Sequence, residues 1–140
     1  MMLEVGLTQD VDTCLALRRA VFIDEQGVSE AEEMDGRDAE ALHLLATLGD
    51  LPVGCARILL KGDTGKIGRV CVLCAARGKG IGAALVQACA DHLATLPGIT
   101  RAELGAQTHA IGFYEALGFV AYGPEYDDAG IPHRDMERAL

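Results

Sequence analysis

Apolar residues recur at two periods along the chain. Leu3-Glu4-Val5-Gly6-Leu7 alternates, which predicts a short strand. Residues 12 to about 25 follow a helical pattern, with Leu15, Val21 and Phe22 among its expected buried positions. Thr8 or Asp10 can cap this helix, and Gly27 ends it. Residues 42–48 and 52–60 read as strands joined at Gly49-Asp50, a hairpin. A second turn spans 61–65, and the next strand covers 66–73. The longest helical pattern runs from 79 to about 96. It places Ile81, Leu85, Cys89 and Leu93 on one face at i, i+4 spacing, with Ala84, Ala88 and Leu96 beside them. Pro97-Gly98 stops it. A strand at 99–107 and a short helix at 109–117 follow, the latter closed by Gly118. Residues 119–122 and 133–138 read as strands, with a loop over 123–130 between them. The order is β-α-(α)-β-β-β-α-β-α-β-β. It predicts one α/β domain over residues 1–140: a central mixed, mostly antiparallel sheet with helices on both faces.

Composition narrows the function. Half of the 140 residues are apolar, ample for one core. The formal net charge of −9 argues against a nucleic-acid partner, whose binding face is basic. It fits solubility, and also a cationic acceptor. The acidic stretch Glu30, Glu32, Glu33, Asp35 and Asp38 reads as a solvated loop or as an acidic rim around an amine site. No leader or membrane-spanning run is expected, so the predicted location is cytoplasmic, with no membrane partner. Five cysteines at irregular spacing fit reduced thiols, and Cys71-Val72-Leu73-Cys74 lacks a second pair to complete a metal set; no metal is expected.

The candidate chemistry centres on Arg77-Gly78-Lys79-Gly80-Ile81-Gly82, between an apolar strand and the long helix. Glycines there let backbone N–H groups converge. The first helical turn has unpartnered N–H groups and a dipole that favours anions. The expected ligand is a pyrophosphate. A Walker loop fails, because Leu73 stands where its first glycine belongs and Gly80 where its hydroxyl belongs. Gly78, Gly80 and Ala83 meet a dinucleotide fingerprint formally, but too little chain follows to build the remaining βαβ units.

Arg77-x-x-Gly80-x-Gly82 also meets the R/Q-x-x-G-x-G/A motif of the GNAT acetyltransferases. Gln107-x-x-Ala110-x-x-Phe113-Tyr114-Glu115-Ala116-Leu117-Gly118-Phe119 is similar to that family's N-x-x-A-x-x-x-Y-x-x-x-G-F. With both motifs in order, the chain resembles the GNAT superfamily over essentially its whole length. Arg18-x-x-Val21-Phe22-x-x-Glu25-Gln26, Asp35-x-x-Asp38, Ala41-x-His43-Leu44 and Gly130-Ile131-Pro132-His133-x-x-Met136 resemble its ElaA-like branch. Cys74 departs from the usual proline and Gln107 from the frequent asparagine.

The resemblance implies an acyl-CoA-dependent N-acyltransferase, moving acetyl from acetyl-CoA to a primary amine of a small molecule or peptide by direct attack. Acetyl-CoA would wedge into a V-shaped splay of the sheet. Cys71, Val72 and Leu73 would pair with its pantetheine, Val72 N–H would face the thioester carbonyl, and Arg77, Gly78, Lys79, Gly80, Ile81 and Gly82 would hold the pyrophosphate. Gln107, Ala110 and Phe113 complete the expected cofactor contacts. Tyr114 matches the family's general acid, and reads otherwise as a core aromatic. Arg18, Phe22, Glu25, Glu33, His43 and His133 are the candidates for the acceptor side, with Glu25, Glu33 and His43 considered as bases. His43, on an apolar strand, reads rather as a satisfied core histidine, His133 is equally ambiguous, and helix packing accounts for Phe22 as well. A non-catalytic acyl-CoA sensor is the alternative, and a homodimer is compatible with either.

Overall fold

In the computed structural model, which describes residues 2–140, seven strands form one sheet. They are β1 (Leu3–Thr8), β2 (Leu42–Leu48), β3 (Leu51–Lys61), β4 (Thr64–Val72), β5 (Arg101–Gln107), β6 (Val120–Asp128) and β7 (Ile131–Ala139), in the spatial order β1-β2-β3-β4-β5-β7-β6. All neighbours are antiparallel except β4 and β5. Those two pair only where Thr64, Gly65 and Lys66 face Arg101, Ala102 and Glu103. Beyond that point they diverge, and the sheet opens as the expected V.

The helices are α1 (Val11–Arg18), which continues as a π-helical segment (Arg19–Glu25), α2 (Glu30–Glu33), α3 (Ile81–Ala94) and α4 (Ile111–Glu115). The α3 stripe Ile81, Leu85, Cys89 and Leu93 is buried against one face of the sheet, with Leu44, Ile58, Ile67 and Leu104. Burying an aliphatic side chain contributes about 1.5–3 kcal/mol, enough for three such residues to seat the helix. On the opposite face Cys14, Leu17 and Val21 pack with Cys55 and Cys71. Asp10 caps α1 by accepting a bond from the Thr13 N–H at 3.2 Å. The buried stripe of α1 is Cys14, Leu17, Arg18 and Val21, whereas Leu15 and Phe22 are half-buried. Among the described residues, no helix is long and apolar enough to cross a membrane.

The segment expected as a loop over 123–130 is mostly strand. Tyr126 pairs with His133 and Asp128 with Ile131, past an irregularity between Tyr122 and Tyr126. Gly123 and Pro124 interrupt the alternation, and 123–128 is exposed on both faces. Without a buried face there is no apolar period to mark the strand.

Gly54 on β3 shows how tightly α3 and β4 close on the sheet. A Cβ there would lie 2.7 Å from the Cys71 carbonyl oxygen and 3.1 Å from Leu85. The carbonyl belongs to the paired strand and cannot rotate away. Gly54→Ala should therefore destabilise the fold by about 1–3 kcal/mol, read as a lower urea midpoint with unchanged slope.

Candidate active site

Strand β4 carries the first device of the site. Cys55 pairs with Cys71 but Arg57 pairs with Gly68, so β4 holds an extra residue opposite β3. Arg69, inside this bulge, sits at φ +51, a conformation a long side chain adopts at a cost of about 1–3 kcal/mol. After the bulge, the Leu73 N–H donates to the Val53 carbonyl at 2.8 Å. Strand alternation then turns the Val72 N–H away from β3, toward the open side of the V.

The glycine-rich turn follows. Gly78 and Gly80 take φ +80 and +75, values that bring the chain around to α3 without a Cβ penalty. The helix begins at Ile81, two residues later than its apolar pattern suggests, and no side chain caps it. Its first-turn N–H groups are left for an external acceptor. A Cβ on Gly82 would lie 3.5 Å from the Phe113 ring and 3.8 Å from Val72. These are ordinary contact distances, and they place the end of β4, the start of α3 and α4 side by side. Arg77 is not free for phosphate: its fork donates to both oxygens of Glu25 at 2.6 and 2.7 Å, and its Nε to the Val72 carbonyl at 3.1 Å. Of the charged pair flanking Gly78, Lys79 alone forms no ion pair among the described residues.

A cleft of about 380 Å³ opens between the diverging strands. Val70 and Arg69 of β4, Gln107 of β5, Tyr114 of α4, His133 of β7 and Phe22 of the π-helical segment line it. Tyr114 stands edge-on to Phe113 and Phe119, with ring centroids 5.0 and 6.2 Å away. Burial raises its pKa above that of an ordinary phenol, so its proton is retained at neutral pH. His133 stacks on Tyr126, and its Nδ1 lies 2.7 Å from the Ile131 carbonyl oxygen. The Gln107 amide is engaged by Gln26 at 3.1 Å and by His109 at 2.7 Å.

Beneath the cleft lies a network of ion pairs. Arg18, 1 % exposed, holds both oxygens of Glu33 at 2.5 and 2.9 Å and one of Asp38 at 2.7 Å. Arg57 holds both oxygens of Asp35 at 2.8 Å and approaches Asp38 at 3.3 Å. Hydrogen bonds from Arg57 hold the Asp35 carboxyl well below its ordinary pKa. Burial pushes Asp38 up, but Arg18 and Arg57 outweigh it and the net shift is down. Glu33, Asp35 and Asp38 are therefore pinned to the sheet by arginines, while Glu32 stays on the exposed rim of the cleft.

Several acceptor-side expectations change with this geometry. Arg18 lies below the cleft as part of the network. Glu25 lies outside it, paired with the Arg77 guanidinium, which keeps its carboxyl below the usual range. Glu33 lines the cleft but spends both oxygens on Arg18. His43 is buried on β2, away from the V, with Nε2 2.9 Å from the Asp38 carbonyl oxygen; it borders a separate hollow beside β1. Cys71 faces inward, its sulfur 3.5 Å from that of Cys55, while Cys74 is exposed. Phe22 and His133 remain in the cleft.

Arg57, Arg69 and Tyr126 line the cleft too and were not anticipated. The signal for Arg57 was present: it is a lone charge inside an otherwise apolar strand run, a placement that demands a partner. Tyr126 was hidden by the loop reading of its strand.

Residues 9–140 match the family model described as the acetyltransferase (GNAT) domain. The chain is a member of the GNAT acetyltransferase family. It is 37% identical to the protein ElaA of Escherichia coli over 135 residues, covering 90% of this chain and 85% of ElaA. The ElaA crystal structure superimposes with a TM-score of 0.86 at 31% identity, over 98% of this chain and 99% of ElaA. An acyl-CoA N-acyltransferase from Pseudomonas aeruginosa gives 0.87 at 31% identity, over 99% of this chain and 100% of its own. A Bacillus subtilis acetyltransferase solved in complex with CoA shares the fold, at 19% identity, a TM-score of 0.76 and 99% coverage of each chain. The GNAT assignment makes this chain an N-acetyltransferase.

Proposed function

We propose that this GNAT enzyme moves acetyl from acetyl-CoA to a primary amine by direct attack, with Tyr114 as general acid and His133 as general base. One observation carries the reading: Tyr114 and His133 line a single cleft that begins where β4 and β5 part, and Phe113, the neighbour of Tyr114, lies 3.5 Å from the Cβ position of Gly82 at the uncapped start of α3. Ile81 and Gly82 N–H groups would receive the pyrophosphate, with Lys79 supplying charge. The Val72 N–H, turned toward the V, would donate to the thioester oxygen as negative charge builds there, a contribution of about 3 kcal/mol per donor.

The proton inventory follows from the side chains. Attack by the amine nitrogen on the thioester carbon forms the C–N bond, and the C–S bond then breaks. Tyr114 gives its hydroxyl proton to the departing sulfur. The proton shed by the amine needs an acceptor. Glu25 and Glu33 are spent on arginines and His43 lies elsewhere. A carbonyl oxygen only accepts, so the bond to Ile131 places the neutral ring's proton on Nδ1. The lone pair is then on Nε2, available for that proton.

The test follows free-thiol release with acetyl-CoA and a panel of amines, amino acids, polyamines and peptide N-termini. His133→Gln should slow turnover about a hundredfold at neutral pH. The deficit should shrink as the pH rises, because solvent then supplies the free amine. A deficit constant with pH would remove His133 from proton transfer.

A further inference from the structure

Of the arginines around the cleft, the half-buried Arg69 is the one without a short carboxylate contact. Glu33 is saturated by Arg18 and Asp35 by Arg57. Arg69 has no such partner. Its Nη2 donates to the Glu33 carbonyl at 3.1 Å and reaches toward that of Glu32 at 3.4 Å. Its nearest carboxylate oxygen, on Asp35, is 3.5 Å away and already serves Arg57. The Nε atoms of Arg57 and Arg69 are both buried without an acceptor. Burial, then repulsion from Arg57, lowers the Arg69 pKa, the response of a guanidinium short of negative charge. Lys66, on the same strand and the same cleft wall, forms no ion pair among the described residues. The uncommitted carboxylates of the cleft, Glu32 and Asp128, lie on its exposed rim.

We propose that the acceptor is an amine that also carries a carboxylate, and that Arg69, assisted by Lys66, holds that carboxylate in the cleft. Guanidinium forks match carboxylates in shape and charge, and a partly desolvated one binds them more strongly than an exposed one. The bulge at φ +51 gives Arg69 a fixed place on the cleft wall, so the site is built before the acceptor arrives. The same geometry leaves a polyamine only the rim carboxylates Glu32 and Asp128, since Glu33, Asp35 and Asp38 are neutralised from below. This inference rests on the acyltransferase reading and names the acceptor class within it.

The experiment compares amino acids and short peptides with their C-terminal amides, and with polyamines, as acceptors of acetyl from acetyl-CoA. The carboxylate-bearing member of a turned-over pair should exceed its amide by about tenfold or more in kcat/KM, mainly through KM. Arg69→Gln should bring the acid down to the level of its amide, and Arg69→Lys should keep part of the preference. If Arg69→Gln does not fold, Lys66→Gln, an exposed change, should still raise KM for the acid several-fold, about 3–10 times. Equal rates within pairs, a preference for amides or polyamines, no turnover of any acid, or variants with unchanged discrimination would each overturn the proposal. Failure to bind acetyl-CoA, measured separately by calorimetry, would overturn the acyltransferase reading instead.

Discussion

Tyr114→Phe should lower turnover by about 10²–10⁴-fold, while acetyl-CoA affinity and melting temperature barely change. The substitution keeps the ring that packs edge-on against Phe113 and Phe119 and removes only the hydroxyl. Because that hydroxyl helps the departing sulfur only as the C–S bond breaks, kcat and kcat/KM should fall together. The phenol carries its proton at neutral pH, as a donor must; burial, by raising its pKa, makes it a weaker acid and adds nothing to that requirement. A thioester with a more acidic leaving thiol should narrow the gap. Wild-type turnover in the variant would leave Tyr114 as a packing residue.

Arg18→Ala should cost about 3–5 kcal/mol of stability, read from urea unfolding. Glu33, 3 % exposed, would keep a carboxylate with no partner, and the uncompensated charge sets the cost. Replacing both residues with apolar ones of similar volume, Arg18→Met with Glu33→Leu, should recover most of that loss. The network should also make stability fall in acid. Asp35 and Asp38 have folded pKa values depressed below the unfolded ones. Their contribution is present above the unfolded aspartate pKa of about 3.9 and is lost as pH drops through the lower folded values. Arg18→Ala within about 1 kcal/mol of wild type would mean that water reaches the pair.

The network also explains what could be read in the chain and what could not. The α3 stripe, the hairpin of β2 and β3 and the turn at Gly78 and Gly80 are local: period, caps and glycine chemistry declare them within a few residues. The V is nearly local, because two strands that share few partners follow from the element order and the family motifs. Pairing of distant charges is not local. Nothing near Glu25 or Glu33 in the chain reveals that arginines 52 and 15 residues away will claim them. Both carboxylates therefore looked available as bases. The same blindness applied to β6, whose exposed faces carry no apolar alternation, and with it to Tyr126 and the stacking that orients His133.

The central claim is that residues 77–82 and the parted strands receive acetyl-CoA. Titration calorimetry of the wild-type chain and of Gly80→Asp tests it most directly. Gly80 has open space around its Cβ position, so a side chain there meets backbone strain of about 1–2 kcal/mol at φ +75 and no clash, and the added carboxylate would face the phosphates at a helix start. The account predicts that acetyl-CoA and CoA bind the wild type one to one and that Gly80→Asp weakens both sharply while the melting curve survives. No heat from either ligand at millimolar concentration, or unchanged affinity in a folded Gly80→Asp, would contradict it.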